Sequence, residues 1–153
     1  MLSAGARAPA FALDNLAGGK TALAEVLSQG PVLLAFYKVN CPTCQLALPF
    51  LGRVSKGALR VFAISQDDES ATARFREKLG ITLPTLLDRA EERYPASNGF
   101  GITNVPSLFL LEQDGNIAHA GHGFQKQEIE ELGNRSGVKV FKADDNVPQW
   151  KAG

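Results

Sequence analysis

The chain contains two cysteines, Cys41 and Cys44, separated only by Pro42 and Thr43. Residues three apart on a helix share a face, which places the two sulfurs within disulfide reach of each other. A bond between them would close so short a loop that it could add little stability, because stabilisation by a cross-link grows with loop length. Thiol-disulfide exchange suits the pair better than a structural staple. One thiolate attacks a disulfide and the other resolves the product.

Such a pair needs a rigid mount, and the flanking residues describe one. Pro31-Val-Leu-Leu-Ala-Phe-Tyr37 is a short apolar run opened by a Gly-Pro breaker, as in a buried central strand. After Lys38-Val39-Asn40 the period changes, with Cys44, Leu48 and Leu51 at helical spacing. Pro42 falls in the first turn, where its missing N–H costs nothing. Cys41 is thereby predicted at the N-cap or first turn, where unpaired N–H groups and the helix dipole favour an anionic sulfur. Cys44, one turn on, should be more enclosed.

Strand and helix patterns alternate over the rest of the chain. Phe11–Asp14 reads as a strand entering a Gly-rich turn, with a short helix near 22–28, together an N-terminal extension packed on the main domain. The helix from Pro42 to about Ser55 connects the strand at 31–37 to a second apolar run, Arg60–Ser65, which should lie parallel beside it. Asp67, Asp68 and Ser70 supply cap and first-turn residues for a helix with Ala71, Phe75 and Leu79 on its apolar face, ending at Gly80. A brief strand at 85–88 follows. The stretch 91–100 is weakly helical, with Pro95 interrupting it. Ser107–Glu112, Asp114-Gly115 and Asn116–His119 form a hairpin signature, and 125–135 an amphipathic helix carrying Ile129 and Leu132. These elements predict an α/β domain over 1–137, a central mixed sheet flanked by helices, followed by a polar, mobile tail over 138–153.

Composition excludes several classes. With 16 basic and 16 acidic residues the chain has no net charge, so no nucleic-acid footprint or polybasic membrane patch is present. No segment is apolar enough for a membrane span, and the N-terminus lacks the apolar core of a signal peptide. As it stands the chain reads as cytoplasmic; a leader or anchor ahead of it would make it periplasmic or otherwise extracytoplasmic. No cofactor is implied, and a monomer or weak homodimer is expected.

With this element order the chain resembles the thioredoxin-like superfamily, within it the TlpA-like and redoxin (AhpC/TSA-type) branch. The resemblance is carried by Phe36–Cys44, by Pro49 in the following helix, by Ala63–Asp68 leading to Leu83–Asp88 as an inserted βα unit, and by Phe100-Gly-Ile-Thr-Asn-Val-Pro106-Ser-Leu-Phe-Leu110. It implies that a cis Val105-Pro106 faces the cysteines and that the Val105 backbone pairs with an incoming substrate strand. The chain also departs from the pattern. Asn40 stands where thioredoxins usually carry tryptophan. Ala35 and Ala47 stand where relatives place the carboxylate that helps deprotonate the second cysteine. Another group must therefore assist Cys44, and Lys38 is close in sequence.

The mechanism that follows has Cys41 attack a substrate disulfide and Cys44 resolve the mixed disulfide. The partners are a disulfide-containing protein or small-thiol substrate and an unidentified electron donor; Asn40, Pro42, Thr43 and Lys38 are supporting residues. Three rivals stand beside it. A peroxiredoxin-like thiol peroxidase is the first, although Lys38 and Leu34 replace the threonine and proline that precede a peroxidatic cysteine. A non-catalytic binding module on the same fold is the second. A zinc site of Cys41, Cys44, His119 and His122 is the third, disfavoured because His-x-x-His is short of the usual ligand spacing; no metal is expected. Trp150 is either a recognition anchor or a packing residue, more simply the latter.

Overall fold

A computed structural model describes residues 1–153. In chain order its elements are β1 (Ala12–Asn15), β2 (Lys20–Ala22), α1 (Leu23–Leu27), β3 (Val32–Tyr37), α2 (Pro42–Val54), β4 (Arg60–Ser65), α3 (Glu69–Leu79), β5 (Thr85–Leu87), α4 (Pro95–Phe100), β6 (Ser107–Leu111), β7 (Ile117–His122), β8 (Phe124–Gln125), α5 (Lys126–Ser136) and β9 (Trp150–Lys151). The first seven strands form one mixed sheet in the order β2-β1-β5-β4-β3-β6-β7. β3, β4 and β5 run parallel, β6 lies antiparallel to β3, and β7 and β1 extend the two sides as antiparallel strands.

β3 is apolar throughout because both faces of its sheet are covered. Leu33, Ala35 and Tyr37 point into a core shared with α2 and α5, while Val32, Leu34 and Phe36 point into a second core with α1, α4 and the N-terminal residues. On α2 the residues Cys44, Ala47, Leu48, Leu51 and Val54 recur at helical spacing and are all buried. Burying each such leucine contributes ~2 kcal/mol, and truncating one to alanine costs ~2–5 kcal/mol. The helix carrying the cysteines is thus fixed along its buried face, while Pro49 lies on its exposed side. Asp68 caps α3 by accepting the Ala71 N–H at 2.8 Å, and Gly80 ends it in the left-handed region at φ 65°, where a side chain would be strained.

Two expectations differ from the structure. The weak helical pattern over 91–100 divides into a short 3₁₀ turn at Ala90–Glu92 and α4, with Arg93 and Tyr94 at positive φ between them. Pro95 starts α4 rather than interrupting a helix, since a first-turn proline forfeits no bond. The buried carboxylate of Asp88 supplies the missing cap, accepting the N–H groups of Ala96 (2.9 Å) and Ser97 (2.7 Å) and the Ser97 hydroxyl (2.5 Å).

The second difference is the stretch 138–153, which is docked rather than a free polar tail. Val140 and Phe141 are buried, and the Phe141 ring lies 4.8 Å from Phe50 and edge-on to Phe124 at 6.3 Å. Arg53 forks onto both oxygens of Asp145 and also donates to the Val140 carbonyl at 2.9 Å. Beyond that anchor, β9 pairs antiparallel with β8. The two buried anchors are adjacent but outnumbered by the polar residues around them, so the composition of the stretch conceals them.

Candidate functional site

Cys41 is the N-cap of α2. Its backbone is extended, its sulfur accepts the Cys44 N–H at 3.1 Å, and its thiol donates to the Val105 carbonyl at 3.5 Å. The side chain is half-buried, open to an incoming molecule. Cys44 is fully buried against the core. Burial pushes its thiol far up from the ordinary range; the hydrogen bond with Cys41 acts in the same direction, and a backbone hydrogen bond from Lys38 opposes them. Both thiols are free, so this is the reduced pair. Its two members are unlike: one is accessible at a helix N-terminus, the other buried one turn behind it and held neutral.

Val105 lies 64 residues beyond Cys41 in the chain, with Pro106 next to it, and the sheet brings them together. β6 begins at Ser107, which is paired with Phe36 near the end of β3, so the residues just before β6 arrive beside those just after β3. The Val105-Pro106 peptide is cis, and Pro106 is buried. Lys38, Asn40 and Pro42 are exposed around the cysteine turn. Thr43 is buried, and its hydroxyl donates to the Ala152 carbonyl at 2.6 Å.

Ala35 and Ala47 are both buried in apolar surroundings, so neither position offers Cys44 a carboxylate. The carboxylate whose charge reaches Cys44 comes from another element. Asp67, just past β4, accepts the Val39 N–H at 2.8 Å, and its charge adds to the rise of the Cys44 thiol. Sequence pattern assigned Asp67 to helix capping, but Asp68 does that alone. The signal for a different role was the parallel pairing of the runs at 32–37 and 60–65, which sets residue 67 beside residue 39. Tyr37, between these groups, is buried, and its hydroxyl is pushed up to about 12 mainly by burial.

The two flanks of the cysteine pair are unlike. On one, residues 150–153 form a strap held by β8, by Thr43 and by the Val105-Pro106 peptide. Gly153 rests so close to that peptide that an added Cβ would overlap the Val105 carbonyl oxygen. Trp150 stands exposed in this strap, packed into neither core. On the other flank is a cavity of 260 Å³ bounded by Lys38, Gln66, Tyr94, Asn98, Asn104 and Val105 among others. A larger cavity of 480 Å³, lined by Arg7, Leu27 and Asp114 among others, shares no residue with the site. Neither the strap nor the cavity was anticipated from the sequence.

No three histidine, cysteine or acidic side chains converge as metal ligands. His119 meets the Glu128 carboxylate at 2.5 Å and His122 meets Asn104 at 3.1 Å, so the two histidines are engaged with other partners. No helix is long and apolar enough to cross a membrane.

Comparison with known proteins matches this geometry. Residues 4–120 match the AhpC/TSA family. The thiol-disulfide oxidoreductase ResA of Geobacillus thermodenitrificans is 25% identical over 121 residues, covering 76% of this chain and 67% of that protein. Among solved structures, the thioredoxin domain of a thiol-disulfide oxidoreductase from Bacteroides vulgatus superposes with a TM-score of 0.76 at 19% identity, covering 92% of this chain and all of that one. The peroxidoxin BcpB of Mycobacterium tuberculosis gives 0.73 at 20% identity, covering 89% and 96%. At these identities the structural matches speak for a thioredoxin-like fold.

Proposed function

This chain belongs to the AhpC/TSA family, and from that premise we propose that it is a thiol-disulfide oxidoreductase whose Cys41/Cys44 pair exchanges with disulfide substrates. The observation that carries the assignment is the unequal seating of the two sulfurs, Cys41 half-open at the helix N-cap and Cys44 buried one turn behind it. The Cys41 thiolate attacks one sulfur of the substrate disulfide, forming a mixed disulfide and expelling the other half as a thiolate that takes up a proton. Cys44 gives up its proton, attacks the Cys41 sulfur and releases the second half. The protein has then lost two electrons and two protons to the substrate, and a dithiol donor restores it by the reverse steps.

The proton of Cys44 needs an acceptor that Ala35 and Ala47 do not provide. Solvent takes it, so the rate of resolution follows the thiolate fraction of Cys44. The Val105 carbonyl, hydrogen-bonded to Cys41, marks where a substrate disulfide meets the nucleophile. Both cysteines and Val105 come from one chain, so a monomer suffices for the reaction.

Two measurements test the assignment. Cys44→Ser should accumulate a stable mixed disulfide through Cys41 when mixed with a disulfide, visible as an added mass, while Cys41→Ser should accumulate none; a Cys44→Ser protein that forms no adduct would show the roles to be wrong. Because burial holds Cys44 protonated, resolution of a preformed mixed disulfide should accelerate about tenfold per pH unit across the neutral range, as the thiolate fraction grows. A flat profile would mean that another step limits the rate. A peroxidase reading has weaker support, because Lys38 stands where a peroxide-binding hydroxyl would be needed.

A further inference from the structure

Resting on the exchange chemistry proposed above, we infer that the substrate of this site is a small disulfide carrying a carboxylate or similar anionic group, seated in the cavity between Lys38 and Asn104.

Two features of the molecule meet in this conclusion. The first is what the strap leaves available. A protein segment lying along a strand edge binds through backbone hydrogen bonds. Here Gly153 already rests on the Val105-Pro106 peptide, and Ala152 already takes the Thr43 hydroxyl. The strap is rooted by the buried Phe141 and by Arg53 on Asp145, and β9 pairs with β8. An extended protein strand would have to displace it. A small molecule approaching from the opposite flank would not.

The second feature is the chemistry of that open flank. The cavity measures 260 Å³, below the range usual for drug-sized ligands and suited to an amino-acid-sized or short-peptide half of a disulfide. Cys41 is not itself part of the lining, but Val105 is, and the carbonyl of that residue is the partner of the Cys41 thiol, so a ligand in the cavity sits one residue away from the nucleophile and reaches it with its sulfur end past Val105. The other walls are largely polar. Gln66 donates to Ser97, Asn98 to the Arg93 carbonyl, and Asn104 meets His122, which holds these amides in place while leaving further donors and acceptors for a ligand. Lys38 is the only ionised side chain among the lining residues, and it forms no ion pair within the chain. The nearby carboxylate of Asp67 is engaged by the Val39 N–H. An unpaired ammonium in a concave polar site attracts an anion and repels a cation.

The reaction follows the steps given above. Cys41 takes one half of the small disulfide while the other leaves as its thiol, and Cys44 then displaces the bound half. Two thiols are released for the one disulfide formed in the protein.

The test uses the reduced full-length protein and three small disulfides of similar size: 3,3′-dithiodipropionate, a dianion; 2-hydroxyethyl disulfide, neutral; and cystamine, a dication. Loss of protein thiol in a single turnover at neutral pH and low salt should be fastest with the dianion and slowest with the dication, the extremes differing about tenfold or more. That ratio should fall to roughly threefold or less in Lys38→Gln, and also in the wild-type protein at about 0.5 M salt. Insulin, as a protein disulfide, should react ~100-fold more slowly than the dianion if the strap excludes strands. Equal rates for the three charges, a ratio that survives Lys38→Gln, or insulin reacting as fast as the dianion would each overturn the inference while leaving the exchange chemistry intact. Failure to react with any disulfide, the neutral one included, would overturn both.

Discussion

The two flanks of the cysteine pair show how one short motif is opened on one side and closed on the other. The cavity flank consists of α4 with the residues on either side of it, from Tyr94 to Val105, and the turn after β4, whose side chains hydrogen-bond one another and so keep their places without filling the space between them. On the strap flank, an apolar anchor at Val140 and Phe141 fixes the chain, and the following residues are then close enough to offer backbone groups to β8 and Thr43. Ordering each residue of such a segment costs about 1–2 kcal/mol of backbone entropy, which a few exposed hydrogen bonds do not offset. The anchor is therefore what makes the strap possible. The contrast suggests that access to the sulfurs is governed by residues remote from them in sequence.

The largest effect should come from the anchor. Phe141→Ala removes a ring packed between Phe50 and Phe124 and should cost ~3–5 kcal/mol in urea unfolding. A loss under about 1 kcal/mol would mean that the strap is not rooted there. The next effect isolates the strap itself. Deleting residues 149–153 leaves the anchor in place, so stability should change by only ~1 kcal/mol while the rate of insulin reduction rises about tenfold. An unchanged insulin rate would make the two flanks equivalent for large substrates.

The smallest effect concerns the seat of α5, which carries the strap through the Lys126 N–H bond to the Gln149 carbonyl at 3.0 Å. Glu128, at the start of that helix, raises the His119 imidazole above its ordinary value, chiefly through their hydrogen bond. A histidine raised in the folded state contributes stability that is complete below its unfolded value, about 6.5, and is lost as pH climbs through the folded value. Glu128→Gln should therefore lower the unfolding free energy, read by urea unfolding, most near pH 5–6, by less than about 1 kcal/mol given the partial exposure of His119, and the gap should narrow toward pH 8. A gap that widens with pH would contradict the pairing.

Much of the scaffold is legible in the sequence because its signals are local. The continuous apolar run before Cys41 marks a strand covered on both faces, and the change of period after it marks the helix; β4, α2 and α5 fall within a residue or two of where pattern places them. Pro95 misleads because a proline that ends one helix and a proline that begins another look alike until the cap is known, and the cap is Asp88, a residue just past β5 rather than next to the helix. The role of Asp67 was obscured in the same way, since two neighbouring acidic residues before a helix both read as caps.

By itself, then, the sequence determined that two thiols stand at a strand-to-helix junction, with one at the N-cap and the other on the buried face, because hydrophobic period and cap chemistry act over a few residues. Tertiary structure alone decided what surrounds them. Val105 reaches Cys41 across 64 residues and Ala152 reaches Thr43 across 109, and the cavity exists only where the ends of β3 and β4 meet the approach to β6. Contacts at such separations depend on sheet order and on where buried anchors fall, neither of which leaves a periodic trace in the residues that end up touching.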